Sequence, residues 1–117
     1  MSQLTINLAA GSVAFDCSES EARALQAALG ELMGRLKTLA AQPAGAAAGQ
    51  RPAPLPPLEY KQRGDLFLEV FCNPNIWPSP FAAKVLLTLK SDRIRLNTEV
   101  ELSRLMEDLG QFLDSQS

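Results

Sequence analysis

Residues 83–96 read AKVLLTLKSDRIRL, and the spacing of apolar residues in this stretch decides the class of fold. Alternate positions in its first half are apolar, which is typical of a strand with one buried face. These positions are Ala83, Val85, Leu87 and Leu89. Residues 91–92 (Ser-Asp) indicate a turn. Beyond it we expect Ile94 and Leu96 to point inward and the two arginines beside Ile94 to point outward. The stretch therefore predicts a β-hairpin.

The same alternation continues toward the N-terminus. Residues 58–63 and 66–71 both alternate, and the Gly-Asp pair at 64–65 between them indicates a turn. Residues 4–8 and 13–15 alternate around a short turn, which predicts a further hairpin. The sequence therefore predicts short strands joined by turns, an arrangement that needs no parallel crossover.

Two amphipathic helices are expected, one after each group of strands. Ser18 with Glu21 has the spacing of a capping box, and Thr98 with Glu101 repeats it. Apolar residues then recur at intervals of three and four, which predicts one buried stripe on each helix. The first stripe is Ala22, Leu25, Leu29, Leu32, Leu36 and Leu39, and the second is Leu102, Leu105, Leu109 and Phe112.

Residues 40–57 (AAQPAGAAAGQRPAPLPP) lack any periodicity and consist mainly of Ala, Gly and Pro. This composition predicts a flexible internal linker in extended conformation. The length of 117 residues predicts a single domain over 1–117. We expect an α+β fold, in which an antiparallel sheet of about four to six strands carries two amphipathic helices on one face.

Composition argues against an enzyme. The chain has no histidine, so it lacks the commonest general base and the commonest metal ligand. No phosphate-binding glycine motif and no cluster of metal ligands is present in the sequence. We therefore expect no catalytic residue, no metal and no cofactor.

The two cysteines and the hydropathy bear on location. No apolar run is long enough to span a membrane, and no signal peptide is evident at the N-terminus. Cys17 and Cys72 are far apart and are interpreted as reduced thiols, with a disulfide between them as the alternative. A cytoplasmic protein is expected, without a membrane partner.

The loop 72–80 (CNPNIWPSP) is the first candidate interaction site, because prolines stiffen a loop that holds the only tryptophan. Ile76 and Trp77, with Phe67 and Phe71 of the preceding strand, are the predicted partner-binding residues. The alternative is that Ile76 and Trp77 fold back and close the end of the core.

A basic sheet face is the second candidate. Residues 58–97 hold six basic and four acidic side chains, whereas residues 98–117 hold one basic and five acidic ones. Basic residues interleaved with aromatic ones suit single-stranded nucleic acid. They also suit an acidic protein surface or a plain solvated face, and the net charge of −2 argues against bulk attraction to nucleic acid. The residues concerned are Lys84, Lys90, Arg93 and Arg95.

The segments LEYKQRGDLFLEVFCNP and FAAKVLLTLKSDR, followed by an amphipathic helix, resemble a family of small uncharacterised cyanobacterial proteins. The resemblance covers residues 18–113, apart from the linker. It implies a fold like that of the whirly-type regulators that bind single-stranded DNA, a cyanobacterial cytoplasm, and a role in assembling or regulating a larger complex.

Three functions follow as expectations. The first is a non-enzymatic interaction domain, such as an adaptor or assembly factor with a protein partner of unknown identity, or a homodimer built on the sheet face or an edge strand. The second is single-stranded nucleic-acid binding on the basic sheet face. The third is a small-ligand site between the sheet and the helices.

Overall fold

A computed structural model describes residues 2–41 and 53–116 of the chain. The order of elements is the predicted one, and the fold is α+β. The elements are β1 (Gln3–Leu8), β2 (Gly11–Asp16), α1 (Glu19–Ala40), β3 (Leu58–Gln62), β4 (Phe67–Cys72), a short 3-10 helix (Pro74–Ile76), β5 (Lys84–Lys90), β6 (Arg95–Glu101) and α2 (Leu102–Gln116).

The strands form two antiparallel sheets. One has four strands in the order β3-β4-β5-β6, and the other is the hairpin β1-β2. β1 lies near β6 and α2, yet its Asn7 backbone N–H donates to the Asp108 carboxylate at 2.8 Å. Because this N–H is already bonded to Asp108, it cannot also donate to a neighbouring strand. This agrees with the hairpin forming a separate two-stranded sheet.

The predicted cap of α1 is confirmed. The backbone N–H of Glu21 donates to Ser18 Oγ at 3.1 Å, and the Glu21 carboxylate accepts from the Ser18 N–H at 2.9 Å. This reciprocal pair satisfies two N–H groups that the first turn would leave free. The predicted apolar stripe of α1 is buried from Ala22 to Leu36, and Leu39 is half-buried.

The predicted cap of α2 is wrong. Thr98 lies inside β6, which continues to Glu101, and α2 begins directly at Leu102. The Leu102 N–H donates to the carbonyl of Ala83 at 3.0 Å. A backbone carbonyl, and not the Thr98 side chain, therefore satisfies the first N–H of α2. The apolar stripe of α2 is buried as predicted.

The core lies on one face of the four-stranded sheet. Buried apolar residues alternate along β4 and β5, and they belong to one apolar cluster with β1 and with the buried stripes of α1 and α2. Thr88 of β5 points to the opposite face and is also buried. The strand members include Leu68, Val70, Cys72, Val85, Leu87 and Leu89. The opposite face of this sheet carries the alternate residues.

The turn between β5 and β6 corrects one prediction. Ile94 is not turned inward but is 68% exposed, because β6 begins only at Arg95. The Ser91 N–H donates to the Ile94 carbonyl at 2.9 Å, so Ile94 closes the turn. Leu96, the next inward position, is half-buried against the core.

The predicted linker 40–57 is described only in part, since residues 42–52 lie outside the described residues. Residues 53–57 form neither helix nor strand. The Arg35 side chain donates to the carbonyls of Pro56 and Pro57 at 3.1 and 3.2 Å. The Asn75 side chain exchanges two hydrogen bonds with the Leu55 backbone, at 2.9 and 2.8 Å. This end of the segment is therefore held to α1 and to the 3-10 helix.

Candidate protein-interaction surface

The outer face is the side of the four-stranded sheet opposite the core. The strand register assigns its members, because residues paired across antiparallel strands point to the same side. They form rows that run across the strands, two residues apart along each strand. The members are Glu59, Lys61, Phe67, Glu69, Phe71, Lys84, Leu86, Thr88, Lys90, Arg95, Asn97, Glu99 and Glu101.

The basic row lies at the end of the outer face next to the turns β3–β4 and β5–β6. It consists of Phe67, Lys90 and Arg95 in register, with Arg63 following β3. Lys90 Nζ lies 5.7 Å from the centre of the Phe67 ring, and Arg63 Cζ lies 5.5 Å from it. Both are cation–π contacts. Arg93, in the adjoining turn, is exposed.

The acidic row lies two rows away and has the opposite charge. It consists of Glu59, Phe71, Leu86 and Glu99 in register, so that two apolar side chains are flanked by two carboxylates. Leu86 is 43% exposed. The middle row between them holds a Lys61–Glu69 ion pair at 3.9 Å. The outer face is therefore divided into a basic end and an acidic end.

This division separates the residues predicted to bind nucleic acid. Lys90, Arg93 and Arg95 lie at the basic end, whereas Lys84 pairs with Glu101 beyond the acidic row. Lys84 and Lys90 are six positions apart along β5, a distance of about 20 Å. Lys84 instead lines an open cavity that also contains Arg104 and the carboxylates of Glu99 and Glu101.

The predicted partner-binding residues are also separated. Phe67 and Phe71 are half-buried on the outer face, four residues apart along β4. In the loop from β4 to β5, Trp77 packs against the core while Ile76 is 67% exposed. The interpretation as a core plug therefore fits Trp77 but not Ile76.

Phe81 in the same loop was missed in the sequence, yet its side chain is 87% exposed. It follows Pro80 in a segment without alternation, so no pattern marked which side it faces. The loop joins the strand ends nearest the acidic row. Ile76 and Phe81 therefore lie at the same end of the sheet as Phe71 and Leu86.

The loop is held by its own polar residues. Asn73 caps the 3-10 helix, because its side-chain Oδ1 accepts from the Asn75 N–H at 3.0 Å and from Asn75 Nδ2 at 2.8 Å. Pro74 is buried beneath them. Trp77 then fixes the other side of Ile76 to the core. These contacts hold the backbone on both sides of Ile76, while the Ile76 side chain remains exposed.

A cavity of about 290 Å³ lies where the end of β2, the start of α1 and the β3–β4 turn meet. Its walls include Cys17 and the carboxylates of Asp16, Glu21 and Asp65. Burial, with a smaller contribution from Glu21, raises the pKa of the Cys17 thiol to about 11. Cys17 is therefore protonated at neutral pH and is not an activated nucleophile.

Both cysteines are free and buried, which contradicts a Cys17–Cys72 disulfide. Burial also raises the pKa of Cys72, and a hydrogen bond with the Trp77 side chain partly opposes that rise. No group of three or more potential metal ligands occurs within residues 2–41 and 53–116. Neither helix in this described part of the chain is long and apolar enough to cross a membrane.

Comparisons with models of known protein families, with curated proteins and with solved structures found no match. The resemblance to the cyanobacterial family therefore stays a prediction.

Proposed function

We propose that this chain is a non-enzymatic protein-interaction domain that binds its partner through the β4–β5 loop. The observation that carries the proposal is the 87% exposure of Phe81, in the same loop as the 67% exposed Ile76. A role as an adaptor or assembly factor in the cytoplasm is part of this proposal, and the two free thiols support that location.

The energetics of the loop favour binding. Burying a side chain of the size of Ile or Phe contributes about 1.5–3 kcal/mol. Two such side chains are exposed in this one loop. The braced loop also lowers the entropic cost of association, because its backbone is already ordered by Asn73, Asn75 and Trp77. Ile76 and Phe81 are thus suited to insert into an apolar groove of a partner.

The chemistry of the described residues supports the absence of catalysis. Cys17, whose thiol lines a cavity, is held in its protonated form. The carboxylate of Glu21 beside it already accepts the Ser18 N–H, so it serves the helix cap. A nucleophile normally needs an adjacent base, and this chain contains no histidine to act as one.

The test is affinity capture by the full chain from a native lysate, followed by mass spectrometry. Three variants are compared with the original chain: Ile76→Ser, Phe81→Ser, and Ile94→Ser as the control. Ile94 is 68% exposed, which matches Ile76, but it lies at the opposite end of the sheet. We expect one protein to be captured by the original chain and by the control, and to be lost with both loop variants. Equal capture by all four chains would contradict the proposal.

The basic row favours a second candidate, single-stranded nucleic-acid binding. Phe67 is an aromatic platform between Arg63 and Lys90, with Arg95 in the same row. Fluorescence anisotropy with a single-stranded oligonucleotide tests it. Binding should weaken steeply with salt and on Lys90→Ala with Arg95→Ala, and it should persist with Lys84→Ala. Binding that is insensitive to salt, or no binding, would exclude this function.

A further inference from the structure

The outer face of the four-stranded sheet has opposite charges at its two ends and apolar side chains in both rows. The basic row holds Lys90 and Arg95, and the acidic row holds Glu59 and Glu99. The two rows are four residues apart along each strand, which is about 13 Å. The middle row between them has its own Lys61–Glu69 ion pair. A surface with this division is complementary to itself when one copy is turned end for end.

A two-fold axis specifies how two copies fit. The axis lies between the two sheets, runs across the strands, and passes over the middle row. The same strands then stack on each other in opposite directions, which places the basic row of each copy over the acidic row of the other. Stacked sheets in proteins keep their strands within about 30° of alignment, so this arrangement is an ordinary sandwich.

The matched residues are complementary on β3, β4 and β6. On β6, Arg95 faces Glu99 of the second copy, and on β3, Arg63 faces Glu59. On β4, Phe67 faces Phe71. On β5, Lys90 faces Leu86. Each of these matches occurs twice, as a symmetric interface requires. In the middle row, Lys61 and Glu69 each face the same residue of the second copy, and the ion pair within each copy offsets their charges. A two-fold axis along the strands would instead set the basic rows against each other, which like-charge repulsion disfavours.

The outer face is smaller than the surface that a stable interface buries on each partner. Four strands of five to seven residues cover about 19 Å by about 20 Å, or about 400 Å² for each copy. A stable interface buries about 800 Å² for each partner, so we expect a dimer that dissociates on dilution. The exposed Ile94 and Phe81 lie at opposite ends of the sheet. Neither residue belongs to the paired rows of the outer face, so neither is counted in this area.

We propose that the outer face binds a second copy of this chain as an antiparallel two-fold sandwich, with Arg95 and Arg63 of each copy facing Glu99 and Glu59 of the other. This inference rests on the proposed function in one respect, that the chain acts by binding protein surfaces. It concerns a different surface, since the β4–β5 loop remains the contact for the partner.

Sedimentation velocity tests the sandwich at chain concentrations from about 10 µM to about 1 mM, the range of a weak complex. The original chain should shift from monomer to dimer across this range, and added salt should move the shift to higher concentration. The Arg95→Glu chain and the Glu99→Arg chain should each remain monomeric, because each sets like charges against each other twice. Their dissociation constants should rise at least about tenfold.

The decisive measurement is an equal mixture of these two variants. In the mixed pair, each reversed charge meets an opposite charge on the other chain, so the dimer should return. Lys37→Glu and Glu107→Arg change the charge by the same amounts at exposed positions on the helices, and they should dimerise like the original chain. Should an Arg95 variant fail to fold, the pair Glu59→Arg and Arg63→Glu on β3 makes the same test.

Three results would overturn the inference. They are an original chain that stays monomeric at every concentration, variants that dimerise as well as the original chain, and a mixture that stays monomeric. The proposed function is judged separately by partner capture through Ile76 and Phe81. A monomer that still captures its partner defeats only the sandwich, and a dimer whose partner capture ignores the loop variants defeats only the proposed function.

Discussion

At the scale of single residues, the buried carboxylate of Asp108 ties the N-terminal hairpin to α2. Its side chain is only 7% exposed, and it accepts from the backbone N–H and from the side-chain Nδ2 of Asn7, at 2.8 and 2.9 Å. A buried carboxylate is tolerated when hydrogen bonds replace its lost water, as they do here. The contact is therefore a structural one between the first strand and the last helix.

Replacing Asp108 with Ala should lower the free energy of unfolding by about 1–3 kcal/mol, because the Asn7 N–H is left without its partner. Urea unfolding followed by circular dichroism measures this loss. Glu107→Ala, at the exposed neighbouring position, is the control and should change stability little. Equal unfolding midpoints for the two variants would show that the Asn7 contact does not stabilise the fold.

Cys17 provides a pH-dependent prediction at the same scale. Burial raises its pKa from the ordinary 9.0 to about 11, and the thiolate is the form that reacts. Alkylation of the native chain should be slow at about pH 8 and should rise about tenfold for each pH unit until about pH 11. The raised pKa also favours the folded state fully below about pH 9, and this contribution is lost as the pH rises through 11.

Mass spectrometry of the peptide that contains Cys17 measures the alkylation, and the chain unfolded in urea serves as the control. The unfolded chain should react much faster at the same pH, because its thiol has the ordinary pKa. Equal rates in the native and unfolded chains would show that the thiol is not protected by burial.

At the scale of elements, the two helices begin in different ways although their sequences carry the same capping pattern. Ser18 and Glu21 form the box at α1, whereas Thr98 lies within β6. The pattern at 98–101 is overridden because residues 95–101 pair with β5 along their whole length. Seven residues in register bury more surface and make more hydrogen bonds than one cap provides.

This difference predicts that substitution at Ser18 lowers the free energy of unfolding more than substitution at Thr98. Ser18→Ala should cost about 1 kcal/mol, because it removes the acceptor for the Glu21 N–H. Thr98→Val should change stability by less than about 0.5 kcal/mol, because valine favours strands and no cap is lost. Urea unfolding compares both with Ser103→Ala, an exposed position within α2. A larger loss at Thr98 than at Ser18 would mean that Thr98 caps the helix after all.

At the scale of the whole molecule, side chains of α1 and of the 3-10 helix hold residues 55–57 before β3 begins. Asn75 imitates a strand partner, since its side chain both donates to and accepts from the backbone of Leu55. Arg35 holds the next two carbonyls. The chain thus enters the four-stranded sheet from a fixed direction.

Asn75→Ala should remove both bonds to Leu55 and increase hydrogen exchange at the Leu55 amide. Exchange followed by mass spectrometry of the peptide around residue 55 measures this. Asn97→Ala is the control, because Asn97 is exposed on the outer face far from Leu55. Unchanged exchange in the Asn75 variant would show that other contacts hold this segment.

The sequence by itself determined the α+β class, the order of the elements, the cap of α1 and the two buried helix stripes. These features depend on residues close together in the chain, where period and local hydrogen bonding dominate. Only the tertiary structure decided that Lys84 pairs with Glu101 beyond the acidic row, that Ile94 and Phe81 are exposed, and that Asp108 is buried. Those outcomes depend on strand register and on contacts between residues far apart in sequence, such as Asn7 with Asp108, which no local pattern encodes.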